Sequence, residues 1–98
     1  MQDMLPLSAL DDDPARYFLI DVRDAEDYAA AHVPGAVNIP LAELGDRAGE
    51  IPAGRTPVTI CGKGGGRSAE GAAALRARGH ADALWLEGGT NGWRARNT

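Results

Sequence analysis

Ninety-eight residues suffice for one hydrophobic core and not two, and with 44% hydrophobic but only 5% aromatic residues that core must be built mainly from aliphatic side chains. The net charge of -4 conceals an uneven distribution, with 11 acidic and 3 basic side chains in residues 1–50 against 3 acidic and 7 basic in residues 51–98. An acidic balance disfavours nucleic acid as a partner, and one cysteine excludes an internal disulfide and any site needing several thiolates, zinc and iron–sulfur included.

The first segment, MQDMLPLSALDDDPAR, lacks the basic start and long apolar run of a signal peptide, and no stretch of the chain approaches the roughly 20 apolar residues of a membrane span. A cytoplasmic protein folded as one domain over residues 1–98, with no membrane partner, is the expectation. YFLIDV, Tyr17 to Val22, is short, nearly continuous in apolar character and rich in branched and aromatic residues, as a strand buried on both faces requires. RDAEDYAAAH then reads as a short helix with Asp24 as its cap and Asp27 three residues on, close to a capping-box arrangement. Pro34 and Gly35 make a turn, Val37 to Ile39 a brief extended segment, and LAELGDRAGEI a weak helix interrupted by Gly45.

TPVTI, Thr56 to Ile60, is the second clear strand and leads straight into Cys61. RSAEGAAALRARG is the best helix, with Ala72 and Leu75 in its apolar stripe, Arg76 and Arg78 near its C-terminal end and Gly79 as C-cap. Ala83 to Leu86 forms a third strand, and TNGWRAR a final helical turn. This alternation predicts an α/β fold with a mainly parallel central sheet covered by helices on both faces, in which ligands bind beyond the carboxyl ends of the strands. Cys61 lies at such an end.

The loop after Cys61 is almost free of side chains: Gly62, Lys63, Gly64, Gly65 and Gly66, closed by Arg67 and Ser68. An ordinary thiol, with a pKa of about 8.5, needs roughly 2.7 kcal/mol of preferential anion stabilisation to become mostly thiolate at neutral pH. A helix N-terminus typically supplies about 0.3–1 kcal/mol, up to about 2 kcal/mol in a favourable site, so further donors are needed. Glycines allow successive N–H groups to curl inward as an anion-binding nest, and the Arg67 guanidinium adds charged donors suited to a tetrahedral oxyanion. Lys63 is expected to project outward and attract anions; Ser68 can either bond the thiolate or cap the helix. No Lys-Ser/Thr ending follows the glycines, so the loop is not a P-loop.

Three separated segments resemble the rhodanese-like domain family. LIDVRDAEDYAAAHVPGAVNIP, Leu19 to Pro40, is similar to its N-terminal signature, LEGGTNGW, Leu86 to Trp93, to its C-terminal one, and the cysteine loop lies between them. The resemblance covers nearly the whole chain and implies a three-layer rhodanese-like fold and a cofactor-free sulfurtransferase. In that reading Cys61 takes a sulfane sulfur from a small anionic donor such as thiosulfate and passes it, through a persulfide, to cyanide or to a thiol, including that of an acceptor protein.

Rhodaneses usually have a six-residue loop, whereas Cys61 to Arg67 spans seven. Cys-Gly-Lys-Gly-Gly-Gly-Arg-Ser thus also matches the cysteine, five residues, arginine pattern of tyrosine phosphatases and resembles the rhodanese-fold cell-cycle phosphatases. A phosphatase or arsenate-reductase-like enzyme, or a non-catalytic anion-sensing or sulfur-relay module, therefore stand as alternatives. Against phosphate chemistry, Ile60 replaces the histidine that usually precedes the cysteine, and no acid loop is recognisable. Asp21 and Arg23 are read as a buried pair bracing the loop, or as neighbours of the pocket. Trp85 and Trp93 are read as packing residues, Trp93 also as a wall of the pocket, and His32 as a turn hydrogen bond rather than a general base.

Overall fold

The computed structural model describes residues 3–96. Five parallel strands form one sheet in the order β1-β5-β4-β2-β3: β1 (Met4–Leu5), β2 (Tyr17–Asp21), β3 (Val37–Asn38), β4 (Thr56–Ile60) and β5 (Leu84–Leu86). The central pair, β2 and β4, runs in register from Tyr17 opposite Thr56 to Asp21 opposite Ile60, and nearly every residue in it is buried. That burial on both faces explains why these two strands read as unbroken apolar runs.

Helices cover both faces, as the alternation of elements predicted. On one side α3 (Leu41–Leu44) and α4 (Arg67–Ala77) bring Leu44, Ala72 and Leu75 against Ile20, Val22 and Ile39. On the other, α1 (Leu7–Asp12), α2 (Ala25–Ala30) and α5 (Gly89–Arg96) bring Leu10, Tyr28 and Trp93 against Leu19, Val58, Ile60 and Leu86. Helix α4 approaches β4 closely because Gly71 has no side chain; a Cβ there would meet Leu44 and Thr59 methyl groups at 3.2 Å. Gly79, at φ +102°, ends the helix in a Schellman turn, with its N–H on the Arg76 carbonyl (3.1 Å) and the His80 N–H on that of Leu75 (3.0 Å).

Three local expectations change. Strand β1 and helix α1 were not foreseen: β1 is recruited to the free edge of β5, with the Trp85 N–H on the Asp3 carbonyl and the Glu87 N–H on that of Leu5. Asp24 occupies the N-cap of α2, but its exposed carboxylate makes no capping hydrogen bond; Glu26 and Asp27 in the first turn complement the helix dipole instead. The terminal helix is two turns long and begins at Gly89.

The chain leaves β2 toward β3 on one side and β4 toward β5 on the other, so the carboxyl ends of β2 and β4 flank the switch point where open α/β sheets build their sites. Cys61 is the first residue past that end of β4. Among the described residues no helix is long and apolar enough to cross a membrane.

Candidate active site

Cys61 to Arg67, together with Asn91 from α5, line a cup of about 340 Å³. Its shape follows from the glycines. Gly64, Gly65 and Gly66 all have positive φ (84°, 74° and 48°), which side-chain-bearing residues rarely adopt. Gly62 lies outside that region, so the loop needs conformational freedom at three of its four glycines rather than at all of them.

A second glycine segment interlocks with the first. A Cβ on Gly64 would lie 2.6 Å from the Gly88 nitrogen, and one on Gly89 would overlap the Cys61 carbonyl and approach the Gly64 nitrogen at 2.8 Å. With the backbones this close, the first turn of α5 donates into the loop: the Thr90 N–H to the Cys61 carbonyl (2.8 Å) and the Asn91 N–H to that of Gly62 (2.9 Å). Helix α4 is anchored from the other side, where the Thr59 hydroxyl donates to the Ser68 carbonyl at 2.6 Å. Helix α5 thereby grips the loop through backbone groups, while α4 is tied to β4.

Cys61 is a buried residue, 6% exposed, at the floor of the cup. It accepts the Gly64 N–H at 3.2 Å and contacts the Ser68 hydroxyl at 3.2 Å. As a thiol it can also donate to the Gly65 carbonyl, 3.2 Å away, so the nest is not composed of donors alone. Burial pushes the Cys61 pKa up, but hydrogen bonds from the Ser68 side chain and from the Ser68, Gly64 and Lys63 amides outweigh it and hold the thiol below its ordinary value. Of the two readings of Ser68, the structure realises the one beside sulfur. Its hydroxyl donates to the Gly65 carbonyl (2.9 Å) in the thiol state and can turn to sulfur when the proton leaves.

Ser68→Ala is accordingly expected to raise the Cys61 pKa. The pH dependence of iodoacetamide alkylation measures it: the midpoint should move upward, and an unmoved midpoint would remove Ser68 from the account.

Lys63 is exposed on the rim, as expected. Arg67 borders the cup as the first residue of α4, and among the described residues no hydrogen bond or ion pair engages its guanidinium. Asp21 is buried and pairs with the partly buried Arg23, whose Nε lies 3.0 Å from Oδ1 and Nη2 2.8 Å from Oδ2. Their outward bond runs to the Ala31 carbonyl (2.7 Å), at the end of α2, rather than to the cysteine loop. The His32 Nδ1–H donates to the Tyr28 carbonyl (2.8 Å), and the imidazole stacks on the Tyr28 ring.

Trp93 does not wall the cup. It lines a separate groove with Leu10, Pro14, Tyr17, Val33 and Pro34, because two helical positions turn its side chain about 200° away from that of Asn91. Asn91, which the sequence reading passed over, takes the place assigned to Trp93. Among the described residues no three His, Cys, Asp or Glu side chains converge as a metal site.

The family model of the rhodanese-like domain matches residues 7–96. A protein named "Probable adenylyltransferase/sulfurtransferase MoeZ", of Mycobacterium tuberculosis, is 43% identical over 77 residues, 76% of this chain and 19% of MoeZ. The thiosulfate sulfurtransferase GlpE of Pseudomonas fluorescens is 35% identical over 78 residues, 78% of this chain and 69% of GlpE. Several other curated relatives are likewise longer proteins, of which the chain spans 19% to 59%. The human single-domain sulfurtransferase TSTD1 superposes over 100% of both chains with a TM-score of 0.84 at 25% identity. Strand order, the cysteine past β4 and a family match running through nearly all the described residues agree, and the chain belongs to the rhodanese-like domain family.

Proposed function

We propose that the protein is a sulfurtransferase in which Cys61 carries sulfane sulfur as a persulfide. The observation that carries this reading is the composition of the cup: a thiol held below its ordinary pKa, cationic residues on the rim, and no carboxyl or imidazole group among the described residues lining it. Cleaving a phosphate ester requires an acid to protonate the departing alkoxide. Sulfur transfer from thiosulfate does not, because sulfite leaves as a stable anion.

In the first half-reaction the Cys61 thiolate attacks the sulfane sulfur of thiosulfate, the new S–S bond forms, and the old one breaks with its electron pair departing on sulfite. The terminal sulfur of the resulting persulfide is an anion in its turn and takes over the donors that served the thiolate. It also stands one S–S bond, about 2 Å, farther from the floor, which brings it from the buried sulfur toward the mouth. An acceptor, cyanide or a thiolate, then attacks it and returns the Cys61 thiolate. No cofactor enters either half. The name of GlpE favours thiosulfate as donor.

The test is intact-protein mass after incubation with thiosulfate, followed by cyanide. The expected outcome is a gain of one sulfur, lost again as thiocyanate. No gain with thiosulfate or other sulfane donors would overturn the proposal. The seven-residue loop, with an Arg67 guanidinium that has no partner among the described residues, favours the phosphatase reading as second, and vanadate-sensitive hydrolysis of an aryl phosphate would then take its place.

A further inference from the structure

Seven of the eight residues lining the cup belong to the cysteine loop itself; the eighth is Asn91. Its backbone is fixed, since its N–H holds the Gly62 carbonyl at 2.9 Å and the neighbouring Thr90 N–H holds that of Cys61 at 2.8 Å. Its side chain is not used in the fold: it is exposed and, among the described residues, has no hydrogen-bond partner. The amide nitrogen lies 3.9 Å from where a Cβ on Gly62 would stand, so an exposed carboxamide carried on a fixed stretch of backbone borders the mouth.

We propose that Asn91 is the donor-selecting residue of the cup, its amide N–H meeting the sulfonate oxygens of thiosulfate while the sulfane sulfur faces Cys61. The inference rests on the sulfur-transfer reading and adds to it which group recognises the donor. Geometry separates the two ends of the ligand. Attack by a sulfur on the floor puts the sulfane atom deepest and the sulfonate about one S–S bond farther out, at rim height. There the oxygens meet Lys63 and Arg67 on the loop side and a neutral N–H donor on the α5 side. A carboxylate in place of Asn91 would confront a dianion with like charge. Once sulfite has left, nothing at rim height needs that amide, so Asn91 acts on loading and not on discharge.

The experiment follows the two halves separately in wild type, Asn91→Asp and Asn91→Ala. Loading is read as persulfide mass against thiosulfate concentration at low and at high salt. Discharge is read from protein preloaded with polysulfide and presented with dithiothreitol. Asn91→Asp is expected to raise the half-loading concentration about tenfold or more at low salt, through like-charge repulsion that high salt screens. Asn91→Ala should raise it about threefold, for one lost hydrogen bond, without salt dependence. Discharge should stay within about twofold of wild type in both, as expected of a residue with no part in that step.

Loading of Asn91→Asp indistinguishable from a normally loaded wild type would overturn this inference and leave sulfur transfer intact. Equal losses in loading and discharge would also overturn it, making Asn91 a brace of the loop. A wild type that takes no sulfur from thiosulfate or polysulfide would overturn both readings together.

Discussion

Gly89→Ala is expected to destabilise the fold by about 2–5 kcal/mol, the sum of a left-handed backbone at φ +58°, roughly 1–2 kcal/mol for a residue with a Cβ, and overpacking of about 1–3 kcal/mol. The second part is the distinctive one. The new methyl would overlap the Cys61 carbonyl and press on the Gly64 nitrogen and the Gly62 carbonyl carbon, all backbone atoms that cannot rotate away. Against a total stability of about 5–15 kcal/mol for a chain of this size, the loss is large, and the cysteine loop should shift with it. Urea unfolding measures the first effect and persulfide loading the second.

Two other glycines separate the contributions. Gly35 has φ +87° but open space around its Cβ position, so Gly35→Ala should cost only the backbone part, about 1–2 kcal/mol. Gly49 has neither a positive φ nor a neighbour within 4 Å, and Gly49→Ala should stay within about 0.5 kcal/mol of wild type. If Gly89→Ala proves no worse than Gly35→Ala, the two glycine segments do not interlock as described.

This pair of loops also marks the boundary between what was legible in the sequence and what was not. The strand TPVTI, the cysteine, the glycines and the helix from Arg67 are consecutive, so their meaning is carried by neighbours in the chain, and the structure places them as read. The same holds for the central strand β2, whose burial on both faces writes itself into an unbroken apolar run. The glycines of LEGGTNGW were recognisable as a signature, but their steric reason, backbone contact with residues 61–64, lies in a segment far along the chain.

The exchange of Trp93 for Asn91 has the same origin. Which residue of TNGW faces the cup depends on the rotational phase of α5, and that phase is set by two hydrogen bonds to carbonyls of the cysteine loop. No local pattern encodes them. Nor could MQDMLPL announce an edge strand, because two residues pairing with β5 leave no periodicity to detect. The wrongly expected Asp24 cap is the converse case: a favourable local motif whose side chain remained with solvent.

Cys61→Ser is expected to abolish sulfur uptake and thiocyanate formation while leaving the fold in place, since the replacement exchanges one small, buried, hydrogen-bonding group for another. A serine hydroxyl is not ionised near neutral pH and the described lining offers it no general base, so activity should fall to background. Sulfur uptake by the variant would place the nucleophile elsewhere. The same pair of proteins tests the electrostatics of the cup without any substrate. The folded state favours the thiolate, so the thiol pKa lies lower in the folded than in the unfolded chain, where it is about 8.5. That stabilisation is fully present above the unfolded value and is lost as pH falls through the lowered folded one. Wild type should therefore gain stability relative to Cys61→Ser as pH rises from 6 to 9, read as the difference between their urea midpoints. Parallel pH profiles would mean that the donors around sulfur merely replace the water that burial removed, and only the minor thiolate fraction of an ordinary thiol would then be available to attack the donor.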